Sequence, residues 1–250
     1  SSKVNLRNTD IVIAEFPKSG ITYITNIINE IRLSISDIKI TSNYYNTELF
    51  VYDIDTSDNV PDQSNIFPYN IRFIKTHKYP PKGNRHAIYI LRNPAHVMRS
   101  YYLFLNNNNV IDRNTISFSD FIRSSTYGIK SWSKHYLEWM NFKGKLHIII
   151  YENVIENPYE EISILLKNIG WKINDKVINN AIKHSDIKNM QVMDQLYRTR
   201  CPSRNYNFVN SSSKFIIDRD DLAYIKKETK QTLLKYKLPI SKNNLEFYFK

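Results

Sequence analysis

The sequence predicts a single α/β domain across residues 1–250, a central parallel β-sheet flanked by helices. Three observations carry this. Short apolar, β-branched runs alternate with stretches of helical periodicity along most of the chain. Two of those runs end in polar clusters, Lys75-Thr76-His77 and Arg92-Asn93-Pro94, at the strand ends where open α/β sheets bind ligands. A length of 250 residues suits one domain with a sizeable core.

The elements follow in order. An apolar strand over Asp10–Phe16 runs into Pro17-Lys18-Ser19-Gly20, and a helix pattern from Thr22 to Leu33 starts at once. Residues 43–70 mix Asn, Asp, Ser, Tyr and Pro, which predicts a loop-rich segment with one short helix. Strands are expected over Ile71–Lys75 and Ala87–Leu91. Pro94 suits the first turn of a helix over Ala95–Leu105, because its missing N–H has no intrahelical partner there. Asn106–Asn109 breaks that helix. Another is expected over Tyr127–Met140, where Ile129, Trp132, Tyr136 and Trp139 form one stripe best explained as core. A fully apolar strand over Leu146–Tyr151 and an amphipathic helix over Tyr159–Ile169, stopped by Gly170, complete the pattern.

Composition narrows the function classes. With 42% hydrophobic and 24% charged residues, the chain is globular rather than disordered. Its longest apolar stretches are too short to span a bilayer, so a soluble, cytoplasmic protein without a membrane partner is expected. A single cysteine, Cys201, excludes an internal disulfide and a cysteine zinc cluster; beside Arg198 and Arg200 it reads as an incidental loop residue. No metal requirement is evident. The net charge of +11 points to an anionic partner, which charge alone leaves open between nucleic acid, a membrane surface and a multiply charged cofactor. Residues 172–250 hold most of the basic surplus, much of it attributable to a solvated helix face.

The strand, loop and helix around Pro17–Gly20 have the makings of an anion cradle. A helix N-terminus presents unpaired N–H groups and partial positive charge, Gly20 permits close backbone approach, and Lys18 adds a full charge. The pattern GxxxxGK[ST] of nucleotide-triphosphate loops is absent. His77 stands at a strand end with Lys75 two residues before it, and strand alternation puts both on one side. An imidazole with an ordinary pKa near 6.5 can accept a proton at neutrality, which suits a general base. Arg92 and Ser100, separated by a strand-to-helix turn, suit a terminal phosphate through a guanidinium fork and a hydroxyl.

Four ordered segments resemble cytosolic-type sulfotransferases, enzymes that use 3′-phosphoadenosine 5′-phosphosulfate (PAPS) and release the bisphosphate PAP. Pro17–Tyr23, PKSGITY, is similar to the PKSGTTW segment that holds the 5′-phosphosulfate. Lys75-Thr76-His77 resembles the KTH of the acceptor-side strand. Leu91–Tyr102, LRNPAHVMRSYY, is similar to the RNPxDVxxSYY segment that grips the 3′-phosphate, and Tyr151–Pro158, YENVIENP, to YEDxxxxP. The resemblance covers residues 10–190 and implies a P-loop-like fold with a 5′-phosphosulfate-binding strand, loop and helix. It implies sulfuryl transfer to a hydroxyl or amine of a small-molecule acceptor, with no nucleic-acid partner. In that scheme His77 is the base and Lys18 stabilises the leaving phosphate, with Lys75 a further basic group beside the transfer. The N–H groups of Ser19, Gly20, Ile21 and Thr22 hold the 5′-phosphate. Tyr23 takes the place of a tryptophan against adenine, and Tyr151 and Ser185 border the same base, Ser185 within a stretch resembling TSFxxMK. Arg92 and Ser100 hold the 3′-phosphate.

The tail departs from this pattern. Where the family has RKGxxGDWK, this chain has Phe208–Phe215, FVNSSSKF, leaving Lys214 as the expected replacement contact to the 3′-phosphate. Two alternatives stay open on sequence: a small-molecule or nucleotide kinase with an atypical phosphate loop, and a basic nucleic-acid-binding module. Acidic residues Glu48, Asp53, Asp55, Asp58 and Asp62 lie in a segment, residues 41–71, without Lys or Arg, which suggests a cationic acceptor or a solvated loop. Oligomeric state is not legible.

Overall fold

The computed structural model describes residues 6–37, 39, 50–56, 71–83, 86–186, 188–192 and 215–235. Its centre is one five-stranded parallel sheet in the order β2-β3-β1-β4-β5, formed by β1 (Ile11–Glu15), β2 (Val51–Asp53), β3 (Phe73–Thr76), β4 (His86–Leu91) and β5 (Lys145–Ile150). The predicted parallel sheet is present. Of the segment read as loop with one short helix, the described residues 50–56 contain the edge strand β2, a three-residue strand too short for a periodic signal, and the rest lies outside the described residues.

Alternation along the strands divides the core in two. Val12, Ala14, Ile74, Tyr89 and Leu91 face a layer containing α2 (Pro94–Asn107), α3 (Phe118–Arg123), α4 (Ile129–Met140) and α8 (Arg219–Lys235). Ile11, Ile13, Phe73, Ile88 and Ile90 face α1 (Ile21–Ser34), α6 (Pro158–Asn168) and α7 (Asp175–His184). A run that is apolar at every position is what burial on both faces demands. Trp132 and Trp139 are core residues, as their stripe predicts, and Trp132 stacks on Tyr136.

The end of β5 differs from expectation. Tyr151 does not end β5 but opens a short helix, α5 (Tyr151–Glu156), which turns its ring off the strand line. The helices α3, α7 and α8 escaped the periodicity, although α3 carries a local signal: Ser117 and Asp120 form a reciprocal capping box.

Two locks hold the strand ends. At the start of β1, Asp10 accepts from Arg72 Nε at 2.8 Å and pairs with Arg72 Nη2 at 2.6 Å, both residues buried. After β3, the carbonyl of Lys78 accepts from His135 Nε2 and Trp139 Nε1, each at 3.0 Å. A carbonyl only accepts, so His135 carries its proton on Nε2, and Nδ1 receives the Tyr89 hydroxyl at 3.0 Å. Burial pushes this imidazole down to about 4, with charge on His77 adding to the effect against hydrogen bonding to Lys78.

Two outcomes follow. Asp10→Ala leaves a guanidinium buried without that carboxylate and should lower unfolding free energy by about 3–5 kcal/mol in urea titrations. Because the folded pKa of His135 is depressed, its contribution is complete above pH ~6.5 and is lost as pH falls toward 4, by about 3 kcal/mol at most. Urea midpoints measured across that window should fall more gently in His135→Gln than in the parent.

Candidate active site

The β1–α1 loop leaves the centre of the sheet between β3 and β4, so everything at the C-terminal ends of those strands can reach it. The loop is locked from within. Ser19 donates its N–H and its hydroxyl to the Phe16 carbonyl, at 3.2 and 2.8 Å, and is 1% exposed. Lys18 adopts φ 75°, a left-handed conformation that costs an L-residue about 1–2 kcal/mol. Gly20, at φ 115°, starts α1 with its carbonyl accepting from Tyr23 and Ile24. A Cβ on Gly20 would stand 2.2 Å from Tyr151 Cδ2, so the absent side chain is what lets Tyr151 lie against the loop.

Beneath the loop sits Glu15, a residue that the sequence pattern did not single out. It is 2% exposed. One carboxylate oxygen accepts the Ile21 N–H at 2.7 Å and the other the Lys18 N–H at 3.2 Å. With Ser19 bound to Phe16 and Ile21 to Glu15, two of the four N–H groups expected to meet a phosphate are engaged internally. The N–H groups of Gly20 and Thr22 have no acceptor among the described residues. Burial raises the Glu15 pKa, opposed by His77, by the Ile21 hydrogen bond, and by Lys18 and Lys75. A lone carboxylate within IVIAEFP, one residue inside the end of an otherwise apolar buried strand, was the available signal.

Cations surround this carboxylate. Lys18 is half-buried with Nζ 4.5 Å from the Phe104 ring centroid, and burial lowers its pKa, Glu15 opposing and Arg92 reinforcing. Arg92 donates from Nη1 to the Lys18 carbonyl at 3.0 Å and lies 4.6 Å over the Tyr151 ring. Its Nε is buried with no acceptor among the described residues, as is Nε of Arg99, a second arginine beside Ser100 that the sequence reading passed over. Lys75 pairs with Asp53 at 3.2 Å. His77 brings Nδ1 to 3.7 Å from Glu15 Oε1, and that nitrogen is buried. Its backbone N–H donates to Asp55 Oδ2 at 2.6 Å, while Asp55 Oδ1 accepts from Thr76 Oγ1 at 2.8 Å.

The expected adenine side is partly assembled. Tyr23 meets Tyr151 edge to face at 6.3 Å, and burial, Tyr151 and Asp186 push its hydroxyl up to about 12. Ser185 is fully buried, and its hydroxyl accepts from Asn26 Nδ2 at 2.8 Å, so it ties α7 to α1. Ser100 is half-buried on α2 and makes no described contact with Arg92. Lys214 lies outside the described residues, as do Cys201, Glu48, Asp58 and Asp62. Glu152 accepts the Asn93 N–H at 2.9 Å and so fastens the β4–α2 turn to α5. Among the described residues no helix is long and apolar enough to cross a membrane.

The residues at the loop suit a bisphosphate donor: an orphaned buried guanidinium nitrogen, a cradle that a Cβ would fill, a half-buried lysine and a helix N-terminus. Comparison with known proteins agrees. Residues 8–219 match the sulfotransferase domain family. Sulfotransferase 1B1 of Canis lupus familiaris is 27% identical over 94% of this chain and 88% of its own length. Retinol dehydratase, solved with androsterone and inactive cofactor PAP, superposes with a TM-score of 0.71 at 16% identity, covering 96% of this chain and 85% of that one. Mouse sulfotransferase SULT7A1, solved with PAP, gives 0.68 at 16% identity over 100% and 92%. Those superpositions establish the fold, and the family match decides against the kinase and nucleic-acid alternatives. The chain belongs to the sulfotransferase family and is a PAPS-dependent sulfotransferase.

Proposed function

We propose that this enzyme moves the sulfuryl group of PAPS to a hydroxyl or amine of a small-molecule acceptor by in-line displacement. His77 serves as base and Lys18 as the cation at the leaving phosphate oxygen. The convergence of Lys18, Arg92 and His77 on one loop, at the ends of β1, β4 and β3, carries this reading. PAPS supplies the sulfuryl group and a stable bisphosphate leaving group.

The chain's own residues do the rest. The Gly20 and Thr22 N–H groups and the α1 N-terminus favour a 5′-phosphate. Lys18 has no carboxylate within ion-pair distance among the described residues, so its charge is available to an oxygen where negative charge grows. Arg92 offers its buried Nε to the donor's other phosphate, with Ser100 and Lys214 assigned to the same group by resemblance. Tyr23 and Tyr151 offer ring faces and edges to adenine. Ser185 serves that side through its hold on α1. Lys75, paired with Asp53, keeps positive potential beside the transferring group.

A cationic acceptor would draw on Glu48, Asp58 and Asp62, since Asp53 is committed to Lys75 and Asp55 to the Thr76–His77 turn. A cytoplasmic setting fits this small-molecule chemistry.

With PAPS and 4-nitrophenol, His77→Ala should lower kcat by about 10²–10⁴-fold with PAP affinity retained. Lys18→Met should lower kcat by about 10²-fold or more. Full kcat in His77→Ala would remove the base assignment. Gly20→Ala should weaken PAP binding at least ~10-fold by calorimetry, because the added Cβ meets the Tyr151 ring in a left-handed backbone.

A further inference from the structure

We propose that Glu15 is a positioning residue for sulfuryl transfer: it holds the anion loop through two N–H groups and fixes His77 in the Nδ1–H tautomer that leaves Nε2 to take the acceptor proton. This rests on the reading of His77 as base. The geometry supplies each part. Both oxygens of Glu15 are spent on the loop, Oε2 on Ile21 and Oε1 on Lys18, and Oε1 also faces His77 Nδ1 at 3.7 Å. That separation is longer than a hydrogen bond, and such contacts commonly shorten when substrate closes a site. Nδ1 is buried and has no other acceptor among the described residues. The ring is about a third exposed, while Nδ1 itself is buried.

Every charged neighbour fits this arrangement. Burial raises the Glu15 pKa while His77, the Ile21 hydrogen bond, Lys18 and Lys75 oppose it, and Tyr89 and Tyr151 sense its charge. Around His77, Asp55 is occupied with the backbone N–H, and His135 is held neutral by burial, its two ring nitrogens engaged by Lys78 and Tyr89. Glu15 is therefore the carboxylate placed to act on the imidazole itself. As the acceptor oxygen bonds to sulfur and the bridging oxygen leaves with the phosphate, the acceptor proton passes to Nε2. The resulting imidazolium keeps its proton on Nδ1, facing an ionised Glu15 that gains and loses nothing. Buried carboxylates beside histidines act in this way wherever tautomer and orientation must be set in advance.

The test compares Glu15→Gln with the parent, using PAPS and 4-nitrophenol. The amide keeps shape and one acceptor but removes the charge. Expected are a fall in kcat of about 10–100-fold, a KM for PAPS within about threefold, and an acid limb of kcat displaced to lower pH. In a His77→Ala background the same substitution should change kcat by less than about twofold. An unmoved acid limb, or the same kcat loss with and without His77, would overturn the proposal and leave a loop staple only. Nitrogen-15 correlation spectra of the parent protein, with His77 identified by its loss in His77→Ala, keep the test independent of the variant's folding. They should show Nδ1–H at neutral pH, and an Nε2–H tautomer overturns the proposal. Retained activity in His77→Ala would instead strike the base assignment beneath it.

Discussion

One parallel register, β3 and β4 on either side of β1, decides where every charged group of the site can stand. Ala14 lies opposite Thr76 and Glu15 opposite Ile90, so the chain leaves all three strands at nearly the same level. Side chains alternate faces with a period of two, and the two cores make that alternation costly to shift. A slip of β1 by one residue would send Ile11, Ile13 and Glu15 to the face now filled by Val12 and Ala14. It would also carry the loop away from His77. Packing of isoleucines on both faces thus does the aiming that the chemistry needs.

The electrostatic arrangement has a consequence for how cations are kept ready. Four basic side chains near a helix N-terminus repel one another, and burial penalises the charge on Lys18. Glu15 offsets this from below, through charge on Lys18, Lys75 and His77 and through hydrogen bonds to the loop. Because its oxygens are turned to backbone N–H groups, it neutralises the region without forming a close ion pair with Lys18. Lys75 is treated differently, with a direct contact to Asp53 at 3.2 Å. One lysine is left addressable and the other is fixed.

Much of this was legible in the sequence, and the remainder was hidden for identifiable reasons. The strands β1, β3, β4 and β5 were visible because fully buried parallel strands are apolar at every position. The loop was visible because lysine, serine and glycine between a strand and a helix have few structural uses. Glu15 was hidden inside that same apolar run, where pattern reasoning assigns a residue to the strand and stops. β2 was hidden because three residues among Asn, Asp and Tyr have no period to detect. Tyr151 was placed at a strand end, but α5 begins there without a capping side chain, so no start signal existed. The lock on the turn after β3 joins Asp55, Lys78, His135 and Trp139, residues up to 84 positions apart, and distance along the chain conceals such a contact from any local rule.

That lock bears on what the enzyme can vary. His77 is held by its backbone N–H to Asp55, while the next residue is held by its carbonyl to His135 and Trp139. His77 is therefore tied to the core, since α4 supplies both of the latter contacts and packs its tryptophans against the sheet. Lys18 is likewise held by core geometry, through Glu15 on its N–H and Arg92 on its carbonyl. Preorganisation of this kind contributes most when charge develops at fixed points, as in sulfuryl transfer. The segment between Asn106 and Thr126 does not share these anchors, because among the described residues no link of the lock runs through it. Substitution in such segments can then proceed while the positions of His77 and Lys18 stay set by the sheet.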